Sequence, residues 1–149
     1  KVIMNLAQEL FEENTSSSIK SLIAEVDNQV IGYVFYSPIF LKSSSGISGY
    51  ILAPLAVSQE HQKQGIGSNL IKSGIDMLIK EGVGVLLVYG DPDYYGRFGF
   101  KEEIGRLFVP PYPLKYPFGW TGMKLNATAT PNTPIKFECV AALSKPDLW

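Results

Sequence analysis

The sequence predicts an α/β (α+β) fold, a mixed central sheet flanked by helices. Apolar residues recur at helical spacing over Val2 to Glu13 and again over Gly67 to Lys80. Two β-rich runs, Ser21 to Val26 and Val30 to Tyr36, are separated by Asp27-Asn28-Gln29, which fits an antiparallel hairpin. Further on, the order strand, helix, strand across Tyr50 to Tyr89 implies a parallel pair joined by a right-handed crossover. One hairpin and one crossover together make a mixed sheet.

The elements follow in order. In the first helix Ile3, Leu6, Ala7, Leu10 and Phe11 share a face, with Gln8, Glu9, Glu12 and Glu13 opposite. Asn14 to Ser18 and Lys42 to Gly46 read as loops. Tyr50 to Val57 is an apolar strand interrupted by Pro54, which marks an edge, a bulge or a place where pairing stops. The second helix presents Leu70, Ile71, Ile75, Leu78 and Ile79, and Gly82 suits its C-terminal cap. Val83 to Tyr89 is apolar without alternation, the pattern of a strand covered on both faces. Beyond the aromatic turn Asp91 to Phe100, a rigid loop at Val109 to Pro113 precedes two weaker strands, Trp120 to Leu125 and Ile135 to Val140, with a loop at Asn126 to Pro134 between them.

Composition bounds the function. A chain of 149 residues argues for a single domain, residues 1–149, although its abrupt start on a helix leaves room for an upstream first strand. The formal net charge of −1, with only Arg97 and Arg106 as arginines, argues against nucleic acid or an anionic membrane as partner. One cysteine, Cys139, and one histidine, His61, exclude an internal disulfide and a Cys/His metal cluster, so no metal is expected. Flanked by Phe137 and Val140, the thiol reads as buried. No apolar run approaches the roughly 18 residues that cross a bilayer and no signal peptide opens the chain, so a soluble cytoplasmic protein, monomer or homodimer, is expected.

The chemistry concentrates in Ser58 to Ser68. Glycines at 65 and 67 let a backbone approach a ligand closely, and a loop that opens a helix leaves outward N–H groups at the positive end of its dipole. That is an anion site. A phosphate-binding Gly-Lys-Ser/Thr order is absent. The dinucleotide pattern G-x-G-x-x-G fails at Leu70, and seven residues separate Val57 from Gly65 where the fingerprint allows none.

Gln62-Lys63-Gln64-Gly65-Ile66-Gly67 matches Q/R-x-x-G-x-G/A, and Tyr95, 28 residues after Gly67, opens Tyr95-x-x-x-Gly99-Phe100. With these two elements the chain, from Ser21 to about Leu125, resembles the GNAT superfamily of N-acetyltransferases. The run Gly90-Asp91-Pro92-Asp93-Tyr94-Tyr95-Gly96-Arg97-Phe98-Gly99-Phe100 looks like a bacterial branch of predicted N-acetyltransferases. The resemblance implies a GNAT acyl-CoA N-acyltransferase fold with splayed parallel strands and acetyl-CoA as cosubstrate. It implies that the main-chain N–H groups of Gln64, Gly65, Ile66, Gly67, Ser68 and Asn69 grip the coenzyme diphosphate. The side chains of Gln62, Lys63 and Ser68 are available to add hydrogen bonds or charge, Lys63 equally as a solvated surface lysine. It also implies that the pantetheine arm lies along Leu55, Ala56 and Val57.

Acetyl transfer passes through an oxyanion, for which an N–H near Ala56 or Val57 is the expected donor. The resemblance implies Tyr95, ahead of Gly99-Phe100, as general acid in preference to the adjacent Tyr94, since a phenol stays protonated at neutral pH. The other reading is that both rings are packing residues. Many family members carry an asparagine seven residues before this tyrosine, where Val88 stands here. No base is assigned: Asp91 and Asp93 fit a turn, and His61 a surface or capping role. The expected acceptor is a small-molecule or peptide amine, attacked directly in a ternary complex. Tyr112, Tyr116, Phe118 and Trp120 either line its pocket or plug the core. The alternative is a non-catalytic acyl-CoA-binding module that keeps the loop without an acceptor site.

Overall fold

A computed structural model describes residues 2–13, 18–41, 46–127 and 130–149. The first helix, α1, spans Val2–Glu13 as expected. Strands β1 (Lys20–Val26) and β2 (Gln29–Leu41) form the hairpin, its two-residue turn set by positive φ at Asp27 and Asn28, 51° and 66°. The rest of the expected loops at 14–17 and 42–45 lies outside the described residues.

β2 runs past its expected end at Tyr36 because it changes partner. Lys20 to Val26 of β1 pair its first part, while Ile39–Leu41 pair β7 (Ile135–Cys139). β3 (Gly49–Val57) leads through a short turn at Gln59–His61 into α2 (Ile66–Lys80), followed by β4 (Val85–Tyr89). Two short helices follow, α3 (Pro92–Gly96) and α4 (Glu102–Gly105), then β5 (Phe108–Val109) and β6 (Trp120–Lys124). α4 carries no apolar period to announce it, and Val109 belongs to a strand where a loop was expected. The sheet order is β5-β7-β2-β3-β4-β6, with β1 beside β2; β3 and β4 are parallel and the sheet is mixed.

Each face of the sheet is covered. On one side Leu6 and Leu10 of α1 pack with Phe35, Ile51, Val85, Leu87, Trp120, Phe137 and Trp149. On the other, Leu70, Ile71 and Leu78 of α2 pack with Val34, Tyr36, Leu52, Leu86 and Val88. Val85 to Val88 therefore alternate between two cores, which explains a strand without polar positions. The Cys139 thiol is buried in the first core, as expected. No helix of the described residues is long and apolar enough to cross a membrane.

The inward face of α2 differs from expectation at one place. Ile79 is 47% exposed, and Gly74 is buried instead. The reason is Tyr36, whose buried hydroxyl donates to the main-chain oxygens of Leu70 (3.1 Å) and Ile71 (3.4 Å) under the helix. A Cβ at Gly74 would lie 2.0 Å from that hydroxyl oxygen. Gly74→Ala should therefore destabilise the protein by roughly 1–3 kcal/mol through overpacking, although helix propensity alone favours alanine by about 1 kcal/mol. A denaturation midpoint by urea and circular dichroism reads the sign.

Candidate active site

The parallel ladder between β3 and β4 stops early. Gly49 to Leu52 pair Val85 to Val88, and there the pairing ends although β3 continues to Val57. Pro54 explains the break: it has no N–H to donate. On its other side β3 carries an extra residue here, since Leu55 pairs Val34 while Leu52 pairs Tyr36. The proline thus marks both a bulge and the end of pairing.

Beyond the bulge the antiparallel alternation decides which groups face the gap. The Ser58 N–H donates to Ile31 O at 2.7 Å, so the main chains of Ser58 and Ala56 turn toward β2, and those of Leu55 and Val57 turn away from it. Ala56 is therefore not positioned as a main-chain donor to a ligand in the gap; Val57 is. The Val57 carbonyl accepts from Gln62 Nε2 at 3.1 Å, so the Gln62 amide ties the loop to the strand end.

The loop then prepares an anion site. Lys63 adopts φ 65° and Gly65, the N-cap of α2, φ 82°, a left-handed conformation that glycine takes without strain. Asn69 N–H donates to Gly65 O at 3.0 Å and closes the first helical turn, which removes its main-chain amide from the expected set. The N–H groups from Gln64 to Ser68 have no main-chain or side-chain partner among the described residues. They stand at the positive end of a 15-residue helix.

The N–H groups of Gly65 to Ser68 edge an open cavity of about 560 Å³. Of the residues expected at the coenzyme, Leu55, Val57, Gln62, Lys63, Gly65, Ile66, Gly67 and Ser68 line it, whereas Ala56, Gln64 and Asn69 do not. His61 lines it too, its Nδ1 2.8 Å from Ser58 Oγ. Two further residues were missed: Tyr94 and Arg97. The Arg97 guanidinium lies 4.7 Å from the Tyr94 ring centroid and its Nε donates to Tyr94 O at 3.4 Å. Their three-residue spacing on one helical turn, and the rarity of arginine in the chain, were the available signals. Lys63 and Arg97 make this cavity cationic, and no carboxylate among the described residues lines it.

Leu55 also borders a second cavity of about 300 Å³, lined from both cores: Leu6, Ile51, Ala53, Tyr89 and Trp149 from one side, Leu52 and Tyr95 from the other. Its lining brackets the point where the β3–β4 ladder ends. Asp91 caps α3, its Oδ1 accepting from Asp93 N–H at 3.0 Å, so these two acids serve the turn as expected. Within this short helix Tyr94 and Tyr95 diverge, Tyr94 toward the cationic cavity and Tyr95 toward the second. A Cβ at Gly90 would lie 2.7 Å from the Tyr95 ring, so glycine there seats the phenol. Burial, with smaller contributions from Tyr94 and Asp91, pushes its pKa up to about 12.

The aromatic run divides. Trp120 plugs the core, donating from Nε1 to Gly105 O and Phe108 O, both at 2.9 Å. Tyr112 is partly buried, its hydroxyl on Ser144 O at 3.0 Å, while Tyr116 and Phe118 are exposed.

Residues 17–102 match the family model described as Acetyltransferase (GNAT) domain. The chain belongs to the GNAT acetyltransferase family. It is an acyltransferase of the N-acetyltransferase class by that membership. It is 32% identical over 131 residues, 87% of this chain and 72% of the relative, to an uncharacterized N-acetyltransferase, YjhQ, of Escherichia coli K12. A second relative from the same strain, uncharacterized N-acetyltransferase YhbS, is 37% identical over 75 residues. That match spans 50% of this chain and 44% of YhbS. The fold superimposes on the crystal structure of E. coli YhbS in complex with CoA with a TM-score of 0.81 at 26% identity, over 97% of this chain and 78% of that one. A GNAT acetyltransferase from Brucella melitensis in complex with acetyl-CoA gives 0.67 at 26% identity, over 91% and 77%.

The raised phenol has a consequence for stability at high pH. Ionisation starts in the unfolded chain near pH 10 and in the folded protein near 12. The stabilisation is complete below about pH 10 and is lost as pH climbs through about 12. Wild type should therefore lose stability relative to Tyr95→Phe across that window, read as the difference in urea midpoints at successive pH values.

Proposed function

We propose that this chain is an acetyl-CoA-dependent N-acetyltransferase that moves an acetyl group to a primary amine by direct attack in a ternary complex. The observation that carries the proposal is the row of amides from Gly65 to Ser68, unpartnered among the described residues, opening onto a cationic cavity that meets, at Leu55, a second cavity containing Tyr95.

The amides fit a diphosphate, with Lys63 and Arg97 supplying charge at the same mouth. Leu55 and Val57 offer main-chain groups along the gap, so an extended amide-bearing arm pairs there as a strand would. The Leu55 N–H, which faces the gap on the strand residue that lines both cavities, is the donor for the oxyanion that develops as the amine nitrogen bonds the acetyl carbon. As the carbon–sulfur bond breaks, the sulfur takes a proton from Tyr95. The ammonium sheds one proton to solvent before the neutral nitrogen attacks, and the surplus proton of the attacked nitrogen then restores the phenol.

Tyr95→Phe should lower kcat for amine acetylation by about 10²–10⁴-fold while calorimetry shows coenzyme A binding retained. Thiol release without amine dependence, or an unchanged kcat, would sink the role of Tyr95. Binding with no thiol release for any amine would instead mark an acyl-CoA-binding module. Arg97→Ala should weaken coenzyme A binding by about tenfold, and less so at high salt, because the lost contact is ionic.

A further inference from the structure

Tyr89 is shared by two cavities. One is the sheet-crossing cavity that holds Tyr95; the other, of about 440 Å³, is lined by Tyr89, Gly90, Asp91, Pro92, Tyr116 and Phe118. Tyr116 and Phe118 are 60% and 61% exposed, yet their rings meet edge to face at 6.2 Å and are held in place. Tyr116 N–H donates to Tyr89 Oη at 2.8 Å, Gly119 N–H to Tyr116 O at 2.8 Å, and Gly90 N–H to Gly119 O at 2.9 Å. Large rings kept in water on a pinned loop, at the mouth of a cavity, form a binding surface rather than a core.

Charge says what the surface takes. Among the described residues each of these two cavities has one carboxylate in its lining, Asp91 in the outer and Asp147 in the inner, and neither has a basic lining residue. Lys115 Nζ reaches the Asp147 main-chain oxygen at 3.4 Å but lines neither cavity. Asp91 uses Oδ1 in its cap and keeps Oδ2 for another partner. The coenzyme end of the groove has the opposite sign, with Lys63 and Arg97.

We infer that the acceptor carries two positive charges: the amine to be acetylated, beside Tyr95, and a second ammonium or guanidinium that lodges between Asp91 and the Tyr116–Phe118 rings. Carboxylate and π-faces both attract a cation and together disfavour an anion. This assignment of substrate class rests on the acetyltransferase reading above.

The test is a calorimetric titration, with and without coenzyme A, using α,ω-diamines and n-alkylamines of matching length. A parallel pair, an arginine-containing dipeptide and its alanine counterpart, reads the same preference for a peptide acceptor. The doubly charged member of at least one pair should bind about tenfold more tightly. Asp91→Asn keeps the helix cap while removing the charge, and Phe118→Leu keeps apolar area while removing the ring; each should erase most of that gap. Equal binding within every pair, or a gap that survives both substitutions, overturns the inference. Thiol release separates the two readings. A binding preference without turnover removes acetyl transfer and supports the dication site; equal turnover and binding across the pairs does the reverse.

Discussion

The site depends on a sheet that is prevented from closing. Two parallel strands held side by side would continue to pair for as long as both present N–H and C=O groups. Here β3 and β4 separate after the Leu52–Val88 pair because Pro54 brings no donor and the extra residue at the bulge re-aims the strand. The main-chain groups of Leu55 and the N–H of Val57 then face open space rather than a neighbouring strand. A buried peptide group without a partner costs about 1–3 kcal/mol, so such a gap persists only where water or a ligand satisfies it. The break also makes room for a cavity lined from both cores, which an intact ladder would seal.

The second requirement is that the free amides of α2 stand in a fixed relation to that gap. β3 delivers the chain to Ser58, Gln62 fastens the turn back onto Val57, and Gly65 reverses the backbone into the helix. What then holds the helix axis is Tyr36 beneath Gly74. A side chain on α2 at that point would lift the helix off the sheet and carry its N-terminus away from β3. The Tyr36 hydroxyl bonds main-chain oxygens, so it sets the height of the helix as well as its distance.

Much of this was legible in the sequence wherever the signal is local. The turn at Asp27-Asn28, the helical periods, the doubly covered strand and Gly82 each depend on a few neighbouring residues, and the structure has them. Pro54 and the glycines at 65 and 67 marked the gap and the anion loop for the same reason. The parity of Ala56 and Val57 was not legible, because it follows from a register fixed by Ser58 and Ile31, on another strand. Asn69 lost its free amide through the helix beginning one residue earlier than its pattern suggested. Trp120 and Tyr116 looked alike as aromatics; what separates them is that an indole N–H finds Gly105 and Phe108 carbonyls in the core. Asp147 and Trp149 reach the Tyr95 cavity from the far end of the chain, a contact no local pattern encodes.

The state of Tyr95 constrains how the proposed transfer runs. Its pKa of about 12 keeps the phenol neutral at any physiological pH, so a donor is always present. Yet an ordinary thiol has a pKa near 8.5, and full transfer from such a phenol to a thiolate is uphill by roughly 5 kcal/mol. A phenolate left behind in that cavity would also be desolvated, with Asp91 as an unfavourable neighbour. Tyr95 therefore gives up its proton only as another arrives, and the source at hand is the nitrogen that has just attacked. On this account the burial of Tyr95 couples departure of the sulfur to loss of the attacked nitrogen's surplus proton, while the proton that the ammonium sheds before attack goes to solvent.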